Sequence, residues 1–294
     1  MVNVSWFDPP ENAARAVVAR ALEEDLGVFG DLTAGLVPPD ATVRAVLAAR
    51  AEGILAGRLS ASVAFAAVDP ATEVEWFVAD GDRLVPGTVI ARVAGPLRSV
   101  LTAERTALNL LGHLSGVATL TRRFVDAAGD HKARIRDTRK TTPGLRALEK
   151  AAVRAGGGVN HRGSLSDGIL VKDNHLAGLS IGEAVATAHA RWPGVACQVE
   201  CDTIDQLKIA LAAGADLVML DNMDPSEVAS AVSLVAGRVP VEVSGRITPD
   251  TVAAYAAAGV DLISVGAITH SAPVLDIGLD LEQDARLRDI GAEG

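Results

Sequence analysis

Cationic side chains concentrate in one part of this acidic chain. Residues 131–175 contain ten of the 27 Lys and Arg residues and only four of the 37 Asp and Glu residues, although the net charge is -10. Within this range, Arg139, Lys140, Arg162 and Lys172 each lie at the end of a predicted strand. The carboxyl ends of parallel strands meet at one edge of a sheet, so these cations are expected to converge. The sequence therefore predicts a binding site for a small polyanion.

Two carboxylates and two small turns follow the later predicted strands. In chain order these strand ends carry Glu200, Asp221, the pair Ser244-Gly245 and the pair Gly266-Ala267. A carboxylate at a buried strand end is costly unless it meets a cation, a metal or a ligand hydroxyl. Glu200 and Asp221 could hold Mg²⁺ or ribose hydroxyls, and N–H groups exposed at the turns could bind a terminal phosphate. Together, these groups indicate a site that binds a sugar phosphate and a divalent metal.

Strand and helix patterns alternate regularly from residue 133 onward. Predicted strands separated by helical patterns cover residues 133–138, 158–161, 169–172, 196–200, 217–221, 241–244 and 262–265. Helix starts are marked by Ser180, Asp224-Pro225 and Thr248-Pro249, which match the preferences of N-cap and first-turn positions. This regularity predicts an incomplete parallel α/β barrel of about seven strands, with the active site at the carboxyl ends of the strands. An open doubly wound sheet is the structural alternative.

The first hundred residues show a different pattern, which is typical of an α+β sandwich. An amphipathic helix is predicted over residues 11–26 and another helix over 61–68, with strands at 42–50, 54–56 and 74–78 and short alternating strands at 80–90. Thr102 is expected to open a long helix. We predict an N-terminal sandwich domain over residues 1–114, the barrel domain over 115–272, and a tail over 273–294 that packs back on the N-terminal domain.

Composition excludes several functional classes. The negative net charge and the sequence pI of 5.1 argue against nucleic-acid binding, which requires an extended basic face. The sequence has no signal-peptide pattern and no run of about 18 apolar residues, so no membrane association is expected and the predicted location is cytoplasmic. Cys197 and Cys201 are too few for a disulfide framework and are interpreted as buried thiols.

Some polar residues have a simpler structural interpretation. Arg105, near the start of the long helix, could be a solvated arginine paired with a neighbouring acid, and His161 could be a core histidine satisfied by the backbone. Lys172 could alternatively be the Schiff-base lysine of a barrel aldolase. Five further cations are predicted to face solvent or an interface: Arg134, Arg136, Arg146, Lys150 and Arg154.

Four motifs together resemble one enzyme family. They are LTAERTALNLLGHLSGVAT at 101–119, RDTRKTTPGLRALEKAAVRAGGGVNHR at 136–162, ILVKDNH at 169–175 and SVGAITHS at 264–271. The chain resembles the quinolinate phosphoribosyltransferases, which are pentosyltransferases of NAD biosynthesis. The resemblance implies an N-terminal α/β sandwich, an incomplete α/β barrel and a homodimer in which the sandwich of one subunit covers the barrel of the other. It also implies conversion of quinolinate and phosphoribosyl pyrophosphate to nicotinate mononucleotide, pyrophosphate and CO₂ with Mg²⁺.

The resemblance further implies roles for individual residues. Arg105 would reach the quinolinate in the partner subunit's site. The other quinolinate contacts would be Arg139, His161, Arg162 and Lys172. Lys140 would serve the pyrophosphate together with Lys172, and Glu200 and Asp221 would serve the ribose and the metal. The 5′-phosphate would be held by Ser244, Gly245 and Gly266, and the predicted substrate-binding set is completed by Thr138, Arg246 and Ala267.

One position departs from the family pattern. The family reads Ser-Gly-Gly-Ile at the phosphate turn, whereas this chain has Ser244-Gly245-Arg246-Ile247. If the third position has a positive φ, arginine there is strained by about 1–2 kcal/mol; if it does not, the guanidinium adds a phosphate contact. The sequence leaves three alternatives open: a related phosphoribosyltransferase with another acceptor, a barrel aldolase and a non-catalytic sugar-phosphate sensor.

Overall fold

The computed structural model describes residues 9–282 of the chain, which divides into two compact units. The first unit contains the chain up to Thr119, Ala147–Ala155 and the chain from Pro273 onward. The second contains Leu120–Arg146 and Gly156–Ala272. Residues 1–8 of the predicted N-terminal domain and residues 283–294 of the predicted tail lie outside the described residues.

Helices and strands follow one another along the whole described chain. The helices are α1 (Glu11–Leu26), α2 (Arg58–Val68), α3 (Leu97–Ala128), α4 (Arg146–Ala155), α5 (Ile181–Arg191), α6 (Ile204–Ala212), α7 (Pro225–Val235), α8 (Val252–Ala257) and α9 (Ala267–His270). The strands are β1 (Thr42–Ala49), β2 (Gly53–Ile54), β3 (Glu73–Trp76), β4 (Arg83–Leu84), β5 (Val89–Pro96), β6 (Arg134–Arg136), β7 (Ile169–Val171), β8 (Cys197–Cys201), β9 (Leu217–Asp221), β10 (Val241–Ser244), β11 (Leu262–Ser264) and β12 (Ile277–Leu281). Single 3-10 turns occupy Ala34–Leu36 and Asp173–Leu176.

The first unit is built on an antiparallel sheet. Its strands pair in the order β12-β1-β5-β3, and β2 pairs separately with β4. Within the described residues, the last strand, β12, therefore lies along the first, β1. α1 buries Ala14, Val18 and Leu22, whose spacing of four residues places them on one face of the helix. The predicted N-terminal α+β sandwich is confirmed.

The second unit contains a parallel sheet in the order β6-β11-β10-β9-β8-β7. Its first strand, β6, lies beside its last, β11, which is the neighbour relation of a barrel. On the other edge of β6, Val159 forms a single bridge with Arg136, and no strand pairing joins that segment to β7 within the described residues. The predicted incomplete barrel is confirmed, but the predicted strand at 158–161 is reduced to this one bridge, so the sheet has six strands.

Side-chain caps fix the starts of the helices in the second unit. Ser180, Thr203 and Asp224 each accept a hydrogen bond from the backbone N–H three residues later. The predicted starts at Ser180 and Asp224 are confirmed. The predicted start at Thr248 is wrong, because Thr251 Oγ1 accepts the Thr248 N–H at 2.9 Å in a turn and α8 begins only after it.

The long helix α3 begins at Leu97, five residues before the predicted start at Thr102. Val100 and Ala103 are fully buried, so the apolar face of the helix already exists ahead of Thr102. Arg105 consequently lies about two turns inside the helix and not in its first turn. Neither α3 nor any other helix within residues 9–282 is long and apolar enough to cross a membrane.

Two of the cations that were predicted to face solvent are buried or bonded. Lys150 in α4 is 6% exposed, and Arg146 donates hydrogen bonds to the Gly163 carbonyl at 3.1 Å and to the Thr141 hydroxyl at 3.0 Å. Seven of the ten residues of α4 are buried. The prediction was wrong for these residues because the spacing of charges along a helix does not show which faces other elements cover.

Candidate active site

The carboxyl ends of the parallel strands carry all the predicted site residues except Arg105. Thr138, Arg139 and Lys140 follow β6, and His161 and Arg162 follow the bridge at Val159. The remaining members occupy the ends of the other strands or the turns after them: Lys172, Glu200, Asp221, Ser244, Gly245, Arg246, Gly266 and Ala267. The topology of the sheet therefore places these residues at one edge.

Lys172 and Glu200 form an ion pair between the ends of β7 and β8. The Glu200 side chain is 11% exposed and that of Lys172 is 39% exposed, so the ammonium group is the more accessible partner. The contact with Glu200 occupies the Lys172 amino group, which a Schiff base would need to be free. This geometry suits the binding of an anion better than the aldolase alternative.

Asp221 and Ser244 join the ends of β9 and β10. The Ser244 hydroxyl donates to Asp221 Oδ1 at 2.5 Å, and the Asn222 amide donates to Oδ2 at 2.6 Å. Gly245 has a φ of 103°, and a Cβ at that position would lie only 2.4 Å from Asn222 Oδ1. Glycine is therefore required here by both the backbone conformation and the space.

Arg246 also adopts a positive φ, of 48°. Left-handed backbone is unfavourable for arginine by roughly 1–2 kcal/mol, so the strained alternative raised by the sequence applies. The side chain is exposed beside Gly245 and forms no hydrogen bond or ion pair with any residue from 9 to 282. The guanidinium is thus available to an anion at the turn.

The turn after β6 contacts the turn after β11. The Thr138 hydroxyl accepts the Lys140 backbone N–H at 3.0 Å, and the Lys140 carbonyl accepts the Thr269 hydroxyl at 2.8 Å. A Cβ on Gly266 would lie 3.1 Å from the Lys140 side chain. Lys140 and the Gly266 turn therefore lie together, as the predicted pyrophosphate and phosphate sites require.

Arg139 and Arg162 form a cationic pair. The pKa of Arg162 lies below its ordinary value because its guanidinium is partly buried and, secondarily, because the Arg139 charge is close; Asp167 opposes the shift. Arg162 Nη1 also donates to the Gly168 carbonyl at 2.9 Å. Two guanidinium groups that repel each other are stabilised by an anion between them, and a dicarboxylate matches their fork geometry.

Sequence reasoning missed a charged network inside the barrel. Arg136, which was interpreted as a solvated or interface charge, is 17% exposed and donates to the fully buried Glu242 at 2.7 Å, so that interpretation was wrong. Glu242 also accepts the Gln198 amide at 2.8 Å. The signal was present in the strand Val241–Ser244, where an acid stands between two valines that are themselves buried. Asp137, which is fully buried and follows β6, was missed as well.

The donor set at the strand ends suits a lightly held magnesium ion. Within residues 9–282, no group of three or more His, Cys, Asp or Glu residues could hold a metal. Glu200 and Asp221 offer two carboxylates on adjacent strands, and Mg²⁺ commonly uses one or two carboxylates while water and substrate phosphates supply its other ligands. Cys197 and Cys201 are buried free thiols, as predicted. Burial raises the pKa of Cys201 to about 12, which disfavours a thiolate ligand.

Arg105 lies on an exposed part of α3 in the first unit. With Leu108, Asn109 and residues 274–277 it lines a groove of about 440 Å³. One turn earlier, the Thr102 hydroxyl donates to Asp31 at 2.9 Å. Asp31 belongs to a loop whose apolar side chains are strongly exposed, namely Val28, Phe29, Leu32 and Leu36. An exposed apolar patch of this kind is typical of a protein interface.

Comparison with known proteins gives consistent matches over most of the chain. The family model described as "Quinolinate phosphoribosyl transferase, N-terminal domain" matches residues 31–115, and the corresponding C-terminal domain matches residues 117–280. The chain is 44% identical to a carboxylating nicotinate-nucleotide pyrophosphorylase of Mycobacterium leprae, covering 92% of this chain and 98% of that protein. It is 45% identical to a probable enzyme of the same name from Bacillus subtilis, covering 88% and 90%. A solved nicotinate-nucleotide pyrophosphorylase from Francisella tularensis superposes with a TM-score of 0.89 at 39% identity, covering 94% and 98%.

Proposed function

The chain belongs to the quinolinate phosphoribosyltransferase family, and on that premise we propose that it converts quinolinate and phosphoribosyl pyrophosphate to nicotinate mononucleotide, pyrophosphate and CO₂ in NAD biosynthesis. One observation carries this proposal. The strand ends of one barrel bring together an arginine pair for a dicarboxylate, a lysine–carboxylate pair and a glycine turn with exposed backbone. These are the three kinds of group that the two substrates need.

Quinolinate carries two adjacent carboxylates, and Arg139 and Arg162 supply matching forks. The mutual repulsion that helps to lower the pKa of Arg162 is relieved when a dianion binds between the two groups. Lys172, at the end of the neighbouring strand β7, would supply a further cation. Nicotinate, with one carboxylate, would leave part of this charge uncompensated, so the site favours quinolinate.

The reaction begins with attack of the pyridine nitrogen on ribose C1. The bond from C1 to the pyrophosphate oxygen breaks, and Lys140 and Lys172 stabilise the negative charge that collects on the leaving group. Glu200 and Asp221 face the positive charge that develops on the ribose ring. The C2 carboxylate then leaves as CO₂, the adjacent quaternised nitrogen stabilises the electron pair that remains on C2, and this pair takes a proton from solvent. No protein nucleophile is needed.

Glu200 and Asp221 would hold Mg²⁺, which neutralises charge on the pyrophosphate when it is bound. Support for this part of the proposal comes from their placement on neighbouring strands, where two carboxylates and substrate oxygens make an adequate ligand set. The chain's own residues orient the pair: Lys172 bonds Glu200, and Ser244 and Asn222 bond Asp221.

A homodimer with a shared active site is the second part of the proposal. Arg105 would be donated from one subunit to the partner's strand-end site. Two observations support this: the exposed position of Arg105 and the exposed apolar side chains at Val28, Phe29, Leu32 and Leu36 in a loop tied to the preceding turn of α3. Mixing subunits that carry Arg105→Ala with subunits that carry Arg139→Ala tests it. Recovered activity is expected, because one site of each mixed dimer is then intact, and its absence would argue against sharing.

A single assay tests the reaction itself. Release of CO₂ should require both quinolinate and phosphoribosyl pyrophosphate, and nicotinate should not replace quinolinate. Turnover of nicotinate without CO₂ would instead identify a related phosphoribosyltransferase with another acceptor. We also propose a cytoplasmic location, which is in keeping with the two buried free thiols in β8.

A further inference from the structure

Residues 160–162 carry two of the proposed quinolinate contacts, His161 and Arg162, but lie outside the strand ladder. Val159 forms one isolated bridge with Arg136, and no strand within residues 9–282 pairs with the three residues that follow. A substrate contact must be held to within about 0.5 Å of its productive position. Interactions other than sheet pairing therefore have to hold this segment.

Asp137 supplies part of that support. The residue is fully buried. Its Oδ1 accepts the backbone N–H of His161 at 2.7 Å, and its Oδ2 accepts the side-chain amide of Asn160 at 2.5 Å. Hydrogen bonds to a buried carboxylate are charge-assisted and strong. These two bonds take the place of the missing strand pairing.

Glu242 supports the same segment from inside the barrel. Its fully buried carboxylate accepts Arg136 Nη1 at 2.7 Å, Gln198 Nε2 at 2.8 Å and the Ser264 hydroxyl. Arg136 in turn donates through Nε to the Asn160 carbonyl at 3.3 Å. One carboxylate thus links strands β6, β8, β10 and β11 to the segment that carries the substrate contacts.

The imidazole of His161 faces this carboxylate. Its Nδ1 accepts the backbone N–H of Arg162 at 2.6 Å, so Nδ1 bears a lone pair and the neutral ring carries its proton on Nε2. Nε2 lies 3.8 Å from Glu242 Oε1, and the side chain is 9% exposed. The ring therefore directs Nε2 towards Glu242, while its other nitrogen fixes the backbone of Arg162.

We propose that Asp137 and Glu242 are positioning residues for quinolinate binding, which hold residues 160–162 so that His161 and Arg162 keep one orientation towards the substrate. Both carboxylates act through the residues that they bond. The inference rests on the proposed function, because it takes quinolinate as the substrate.

Steady-state kinetics of the full-length enzyme test the proposal with Asp137→Asn and Glu242→Gln. Each variant keeps the side-chain volume and turns one accepting oxygen into a donating amide. We expect the KM for quinolinate to rise about tenfold or more in each, while the KM for phosphoribosyl pyrophosphate stays within about twofold. Asp216→Asn is the matched control. Asp216 also accepts a backbone N–H, that of Cys197 at 2.7 Å, and lies 3.0 Å from the His189 ring. It lies at the amino ends of the strands, away from the proposed site.

The control variant should leave both KM values unchanged. An unchanged KM for quinolinate in both Asp137→Asn and Glu242→Gln would overturn the proposal. An equal rise of both KM values in all three variants would overturn it too, because that result would show a general loss of structure and no specific effect on quinolinate.

Nitrogen NMR of wild-type enzyme labelled at histidine does not depend on the folding of any variant. We expect His161 to have a protonated Nε2 and an unprotonated Nδ1, because Nδ1 accepts the Arg162 N–H. We expect Glu242→Gln to shift the Nε2 resonance, because the carboxylate that faces Nε2 loses its charge. A protonated Nδ1 in the wild type, or an unchanged Nε2 resonance in Glu242→Gln, would overturn the inference. If the wild type releases no CO₂ from quinolinate, the proposed function fails, but the tautomer of His161 still decides this inference.

Discussion

Replacing Arg246 by glycine is expected to stabilise the protein and weaken its binding of phosphoribosyl pyrophosphate. Arg246 has a φ of 48°, and this conformation costs a non-glycine residue roughly 1–2 kcal/mol. Glycine removes the strain but makes the unfolded chain more flexible, which costs roughly 0.4–1 kcal/mol. The net gain is on the order of 0.5–1 kcal/mol, which corresponds to a rise in Tm of about 1–4 °C for a protein of this size.

Two further variants separate backbone strain from charge. Arg246→Ala removes the guanidinium but keeps the strained φ, so it should not raise Tm. Ala236→Gly is the control for strain alone, because Ala236 has a φ of 50° just after α7, at the opposite end of the barrel from the strand-end turns. It should raise Tm without changing either KM.

Thermal unfolding by circular dichroism and steady-state kinetics give the two readouts. The KM for phosphoribosyl pyrophosphate should rise by about twofold to tenfold in both Arg246→Gly and Arg246→Ala, which is the usual worth of one exposed hydrogen-bonded contact. Arg246→Gly and Arg246→Ala should therefore differ in Tm but show a similar rise in the KM for phosphoribosyl pyrophosphate. An equal gain in Tm for Arg246→Ala would refute the strain argument, and unchanged KM values would remove Arg246 from the phosphate site.

Three other outcomes follow from the same geometry. Gly245→Ala should lower the free energy of unfolding in urea by more than about 2 kcal/mol, because φ is 103° and the new Cβ would lie 2.4 Å from Asn222 Oδ1; a smaller loss would mean that the turn can relax. Lys172→Met should lower kcat for CO₂ release at least about a hundredfold, since it removes the ammonium paired with Glu200, and an unchanged kcat would exclude that role. Cys201 should react with a thiol reagent at neutral pH only after unfolding, because burial raises its pKa to about 12. The protonated thiol stabilises the fold below its ordinary pKa of 9.0, and this contribution is lost as the pH rises towards 12; reaction of the folded protein would contradict the argument.

Local signals in the sequence were sufficient for most of the barrel. Six of the seven predicted strands are present. Most of them are apolar runs followed by a polar strand end, whereas β6 has one buried isoleucine between two arginines. Residues 158–161 form only one bridge, because three glycines precede Val159 and because the residues after it bond to side chains, Asp137 above all, instead of to a neighbouring backbone. Such support depends on residues that are brought close only by the fold, so no local pattern could reveal it.

The positions of several predicted site residues follow from the sheet topology alone. Lys172, Glu200, Asp221 and Ser244 end parallel strands, and the sheet order places them at one edge. Charge patterns failed for Lys150, because periodicity along a helix describes the helix in isolation and Lys150 is buried by the elements around it. The sequence predicts that Arg246 is strained if its φ is positive, but only the folded backbone shows that φ is positive.

The gap in the barrel gives a physical reason for its charged interior. A cavity of about 290 Å³ lies between residues 160–163 and the start of β7, and Arg136, His161 and Gln198 are among the residues that line it. Polar groups tolerate water in such a gap, whereas apolar side chains there would lose the benefit of burial. A buried ion pair is a weak source of net stability, yet removing one partner is costly, so the pair restricts how its neighbours can move. The Arg136–Glu242 pair is therefore poorly explained by stability alone and well explained by the need to orient His161 and Arg162 at a position where the sheet cannot do so.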